Sequence, residues 1–185
     1  MSTAETIIAQ TRQWIVDVVI GCNFCPFAGR EIKRDTIHYE VEEAAGKKEV
    51  LEALAKLFEL MKNDPGIETS LLILPKAAAS FTVYLQLLDL AEALLEDEGY
   101  DGVYQIASFH PAYLFAGAGN DDPANYTNRS PYPMFHLLRE ARVTKAIESY
   151  PNVEDIPQRN IGFATQKGLA QMQQLRQSAI NNAVR

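Results

Sequence analysis

Three clusters of side chains in this sequence are equipped to do chemistry. The first is Gly21-Cys22-Asn23-Phe24-Cys25-Pro26-Phe27. Thiols at this spacing can form a redox pair or share a metal, and a thiolate near a helix N-terminus gains reactivity from a lowered pKa. These cysteines follow a helical pattern instead of opening one, so dipole activation requires a short helix beginning at Pro26. The alternative is a turn in which one or both cysteines are small buried hydrophobes packed by Phe24 and Phe27.

The second cluster is Ser108-Phe109-His110-Pro111. It closes a strand pattern, and α/β sheets place ligands at the carboxyl ends of strands, where a histidine suits general acid-base work. Alternatively, His110 hydrogen-bonds loop backbone and sets the exit angle before Pro111. His38 falls on the polar face of an earlier strand pattern and reads as solvated.

The third cluster is Asn128-Arg129-Ser130-Pro131-Tyr132-Pro133, followed by His136 and Arg139-Glu140. The prolines lock the backbone before a predicted helix whose first amides are free, and Arg129 and Ser130 add donors suited to phosphate or carboxylate. On a helix, His136 and Glu140 share a face, so Glu140 can orient the imidazole. The alternative makes Asn128 and Ser130 turn and cap residues and pairs Arg129 with Asp121 or Asp122.

The frame that must position these groups is one ordinary globular domain: 185 residues, 47% apolar and 22% charged. Such a chain buries roughly 70% of its unfolded surface and needs neither disulfide nor metal to fold. With 24 acidic against 17 basic residues, a net charge of -7 argues against a phosphate-tracking nucleic-acid binder. No apolar run is long enough for a membrane span, and Met1-Ser2-Thr3-Ala4-Glu5 lacks the cationic start of a secretory signal. The expectation is a cytoplasmic protein with neither membrane nor nucleic acid as partner, whose cysteines are not a disulfide framework. No Gly-rich phosphate loop, dinucleotide fingerprint or His-Glu-x-x-His pattern assigns a cofactor.

Ser2 to Glu5 has capping-box spacing, and Ile7, Ile8, Thr11, Trp14, Ile15, Val18 and Val19 recur at helical spacing until Gly21. Ile37, Tyr39 and Val41 alternate with polar residues as in a half-buried strand. Val50 to Met61 is helical, Leu71-Leu72-Ile73-Leu74 reads as a central strand, a broad-striped helix follows from Phe81, and Val103 to Phe109 is a third strand. The order favours an α/β layered domain with at least three strands, the alternative being an α+β ferredoxin-like sheet. Between Pro111 and Pro133 periodicity disappears, and a connection of that length is often functional. Helical pattern returns at Met134, Leu137, Leu138 and Ala141 and after Pro157. Residues 1–165 read as the domain and 166–185 as a helical extension with a frayed tail.

The segments Cys25-Pro26-Phe27, Gln105 to Pro111, and Asn128 to Pro133 with His136 to Glu140 resemble a bacterial domain-of-unknown-function family, DUF 1415, over about residues 5 to 165. The resemblance implies that these loops form one site, while it brings no activity, cofactor or partner. In the family pattern the position of Cys22 is apolar and Cys25 stands in the motif, which makes Cys25 the better candidate thiol. The combined expectation is a pocket gathering Cys25, His110 and His136 as catalytic candidates with Asn128, Arg129, Ser130 and Tyr132 as ligand-binding ones. Three functions stay open: an enzyme acting on a small anionic metabolite, a non-catalytic module recognising a small ligand or peptide end, and a zinc site from Cys25, His110 and His136, with Cys22 as a further ligand. Cofactor and oligomeric state are unassigned.

Overall fold

The protein is described from a computed structural model over residues 3–183. Helix α1, Thr3–Trp14, runs without interruption into a π-helical segment, Ile15–Ile20. The first predicted helix is thus present, with its last turns wound wider than an α-helix; Ser2 of the capping box lies outside the described residues. Gly21 ends it through close approach and not through a positive φ: a Cβ there would stand 2.2 Å from the Asp17 carbonyl oxygen. A turn carrying both cysteines leads into α2, Ala28–Arg34, which stops at Asp35 in left-handed backbone (φ 52°).

Strand β1 (Ile37–Val41), helix α3 (Lys47–Asn63), strand β2 (Thr69–Ile73), helix α4 (Phe81–Asp97) and strand β3 (Tyr104–Phe109) then follow where the periodicities place them. Ser80 caps α4 by accepting the Val83 amide at 3.2 Å. After the long connection comes β4, Met134–Arg139, then α5 (Glu140–Glu148), α6 (Ile156–Lys167) and α7 (Leu169–Asn182).

Among the described residues the sheet has four strands in the order β1-β2-β4-β3, with β1 and β2 parallel and β4 antiparallel to both neighbours. This is an α/β layered domain, and the parallel β1-α3-β2 unit separates it from a ferredoxin-like sheet. The helix expected from Met134 is instead this inner strand. Its apolar residues fit helical spacing, but Leu72 and Leu137 pack with Phe135 on one face and Leu71 and Ile73 with Met134 on the other. A strand covered on both faces loses the alternation that identifies strands.

Helices α3 and α4 cover one face, contributing Leu54, Phe58, Met61, Tyr84, Leu87 and Ala91 to a core with Leu72, Phe135 and Leu137. The other face carries the α1 and π-helical segment with Trp14 and Val18, together with Ala164 of α6 and Met172 and Ala179 of α7. The extension over residues 166–182 is helical and packs on the domain: α7 buries Met172 and Ala179 completely, and Gln10 of α1 donates to the Ile180 carbonyl at 3.2 Å. Val184 and Arg185 lie outside the described residues. Among the described residues no helix is long and apolar enough to cross a membrane.

Candidate functional site

The carboxyl ends of β2 and β3 meet the start of β4, and one hydroxyl joins the last two. Tyr84 of α4 donates to the Met134 carbonyl at 2.9 Å and accepts the Phe109 amide at 3.1 Å. Directly beyond, His110 is 1% exposed and packed between the rings of Phe81 and Tyr84. Its Nδ1 accepts the Ala112 amide at 2.9 Å, which leaves Nε2 to donate to the Ala78 carbonyl at 3.0 Å. An amide can only donate and a carbonyl only accept, so the ring is the neutral Nε2–H tautomer. Burial pushes its pKa below the usual imidazole range against the Ala78 hydrogen bond, and the positive charge of Arg176 acts in the same direction as burial. Both nitrogens are engaged with backbone, the arrangement of the anchoring alternative.

The proline-braced loop is equally self-engaged. Asn128 clamps the free edge of β3: its carbonyl accepts the His110 amide at 3.3 Å and its Nδ2 donates to the Ser108 carbonyl at 3.2 Å. Ser130, fully buried, donates Oγ to the Tyr132 carbonyl at 2.6 Å, and the Tyr132 hydroxyl donates to Gln10. Arg129 meets neither Asp121 nor Asp122. It donates from Nε to the Tyr113 carbonyl and from Nη2 to the Asn120 carbonyl, both at 3.0 Å, while its guanidinium lies 4.8 Å from the Tyr126 ring centre. Asp122 is a capping residue that accepts the Ala124 amide at 2.9 Å.

Cys25, His110 and His136 occupy three environments. Cys22 and Cys25 are both free thiols. Cys22 is buried with Phe24, and burial raises its pKa while Lys167 opposes the rise. Cys25 is half-buried in a turn stitched to Val19 and Ala28, and α2 opens at Ala28 and not at Pro26. The adjoining rings, Phe24 against Phe163 and Phe27 against Tyr150, belong to the α5–α6 side of the fold. None of these groups contacts His110. His136 stands in β4 opposite Leu71 and Ala107, which places it on the α1 face, whereas His110 packs against α4. Glu140 opens α5 and does not share a helical face with His136.

Thr69 Oγ1 lies 2.6 Å from both the Leu137 carbonyl and His136 Nε2. The single hydroxyl proton goes to the carbonyl, so His136 donates from Nε2, and burial depresses its pKa to about 4. Among the described residues no three His, Cys, Asp or Glu side chains come together to hold a metal ion, so the Cys25-His110-His136 zinc set is not assembled.

Sequence reasoning missed Arg176 and Tyr126. Arg176, on α7, is half-buried and donates Nε to the Ser130 carbonyl at 2.9 Å. Burial lowers its pKa, Tyr126 opposes this, and the like charge of Arg129 adds to it. Among the described residues no carboxylate pairs with Arg176 or Arg129. Tyr126 is 6% exposed, and among the described residues its hydroxyl has no hydrogen-bond partner. The available signal was an arginine on the inward stripe Met172-Arg176-Ala179 of a narrow apolar pattern.

Two surface depressions lie elsewhere, one of about 310 Å³ lined by Lys167, Gln171, Gln174, Leu175 and Ser178, the other of about 410 Å³ around Asp35, His38 and Asp64. No curated protein and no solved structure matches the chain. Residues 6–174, which contain the cysteine, His110 and Asn128–Glu140 segments, match the family described as protein of unknown function (DUF1415), and the chain belongs to that family.

Proposed function

We propose that this protein is a recognition module for a small molecule bearing a carboxylate or phosphate, bound where α7 meets the loop before β4, and that it works in the bacterial cytoplasm. The observation that carries the reading is Arg176, a half-buried guanidinium with no carboxylate partner among the described residues, in a protein of net charge -7. Taking a cation partly out of water and setting it near a second one, Arg129, costs free energy that an anion would return. Among the described residues the groups left over can all donate: the terminal nitrogens of Arg176, Nη1 of Arg129 and the Tyr126 hydroxyl. A planar guanidinium holds carboxylate or phosphate in a two-point geometry that lysine cannot copy.

The enzyme reading has less support from the same geometry, because His110 has no free nitrogen and neither Cys25 nor His136 contacts it. The test is thermal unfolding with phosphate, sulfate or acetate against chloride at matched ionic strength. At a ligand concentration ten times Kd, linkage gives about 1.4 kcal/mol, a rise of about 3–6 °C for a chain of this size. Arg176→Gln should lose most of the rise and Arg176→Lys part of it. Equal shifts in wild type and Arg176→Gln would overturn the reading.

A further inference from the structure

Charge is unevenly divided along this chain. Residues 156–185 contain Arg159, Lys167, Arg176 and Arg185 and no Asp or Glu, a formal charge of +4 against -7 for the whole, which leaves -11 on residues 1–155. The structure keeps the halves electrostatically apart. Every ion pair among the described residues lies between residues 12 and 142. Exposed Arg159 bonds to the Asn23 carbonyl and the Tyr150 hydroxyl, and the exposed Lys167 ammonium lies 5.5 Å from the Phe163 ring centre, so neither charge is neutralised. At the junction of α6 and α7 this acid-free surface sinks into the depression of about 310 Å³ lined by Lys167, Gln171, Gln174, Leu175 and Ser178.

From the unneutralised cations and the amide-lined depression beside them, we infer that the outer face of α6 and α7 docks an acidic peptide segment of another protein. Lys167 supplies a point charge for a carboxylate. Gln171, Gln174 and Ser178 recur on one side of α7, and carboxamides both donate to and accept from a peptide backbone. Leu175 offers an apolar floor. This face is turned by roughly 120° around α7 from the stripe that carries Arg176, so the docking surface and the small-anion site are separate. The spacing disfavours nucleic acid: Arg159 and Lys167 are about 12 Å apart along α6, no cation stands between them, and Phe163 is half-buried under Lys167 instead of open for stacking a base. The strongly acidic remainder would repel a long polyanion, whereas a short acidic segment fits within the face.

The experiment is fluorescence anisotropy of a fluorescein-labelled peptide of Glu, Gly and Leu against the full chain. Binding should weaken about fivefold in Lys167→Glu/Gln171→Glu and weaken again when salt is raised to about 0.15 M, where screening reaches ~8 Å. Gln174→Lys should tighten it, which keeps the inference testable if the double variant folds poorly. Arg176→Gln should leave it within about twofold, separating this surface from the anion site. The inference is overturned if charge reversal and Gln174→Lys both leave peptide affinity unchanged. It is equally overturned if a Gln-Gly-Leu peptide binds as well, if oligothymidylate displaces the acidic peptide, or if the face is closed by a second copy of this chain in sedimentation.

Discussion

Replacing Tyr84 by Phe removes one atom, and the consequence for the end of the sheet can be worked out. The hydroxyl accepts the Phe109 amide and donates to the Met134 carbonyl, bridging the groups of the terminal β3–β4 residue pair. Tyr84 is fully buried, and burial pushes its pKa well above the usual phenol range, so no water stands by to replace the hydroxyl. Each hydrogen bond contributes about 1 kcal/mol net, and each backbone group left dry and unpaired costs about 1–3 kcal/mol. If direct pairing of the two groups across the ladder makes up for the lost hydroxyl, the loss is only ~1 kcal/mol; Phe135 and His110, packed against the Tyr84 ring, hold the site against such compensation. The expected loss is about 2–3 kcal/mol in urea unfolding, or about 5–10 °C in Tm. Amide exchange adds a local readout, since the Phe109 amide should lose protection beyond the global change. A loss below about 0.5 kcal/mol with Phe109 protection intact would refute the reasoning that the hydroxyl is an irreplaceable link.

Three other perturbations have defined outcomes. His136 titrates near 4 when folded and in the ordinary imidazole range when unfolded, so the unfolded chain binds more protons between these values; its contribution is present above about pH 6.5 and is lost as pH falls toward 4. The full difference is worth about 3 kcal/mol at most, partial exposure of the residue trims it, and His110 adds a loss of the same sign; urea midpoints at pH 5 and 7 should differ less in His136→Gln than in wild type, and an unchanged difference would contradict the burial argument. Arg129→Lys cannot hold the Tyr113 and Asn120 carbonyls together, so limited proteolysis within residues 110–133 should quicken by about tenfold, matching ~1.4 kcal/mol of lost clamping; an unchanged rate would mean the loop is held by its other bonds. Iodoacetamide should label half-buried Cys25 before buried Cys22, whose thiol burial also disfavours ionisation, with peptide mass spectrometry as the readout and preferential labelling of Cys22 as the contrary result.

Elements α1, β1, α3, β2, α4 and β3 were legible because each exposes one side to water or stops at a clear signal, as with Asn63-Asp64-Pro65-Gly66 after α3 and Ser80 before α4, whereas the short α2 was not expected. Strand β4 was not legible: Met134, Leu137 and Leu138 mimic a helical stripe, and only pairing on both sides decides between the two. The candidate site shows the same division between local and tertiary information. Asn128, Ser130 and His110 drew notice for their chemistry and position, yet their polar atoms turn inward to hold backbone. Arg176 drew none, because an arginine in a glutamine-rich helix gains meaning only when α7 folds back over the Ser130 carbonyl. Tyr126 likewise gains meaning only in the folded loop, where its ring lies beside the Arg129 guanidinium.

The insertion of β4 between β2 and β3 has a consequence for the order in which the chain acquires structure as it leaves the ribosome. Residues up to the end of β2 can form the local β1-α3-β2 unit at once. Leu71, Leu72 and Ile73 then present an apolar edge whose proper neighbour, β4, is encoded some sixty residues later. Strand β3 is made in the meantime with no partner, since its only sheet neighbour is also β4. An unpaired apolar edge is a template for another chain, and non-local pairing is slow to form. Translation through residues 74–133 is therefore the interval of greatest exposure to aggregation, and α4, which covers one face of β2 before β4 exists, acts in that interval as an intramolecular guard.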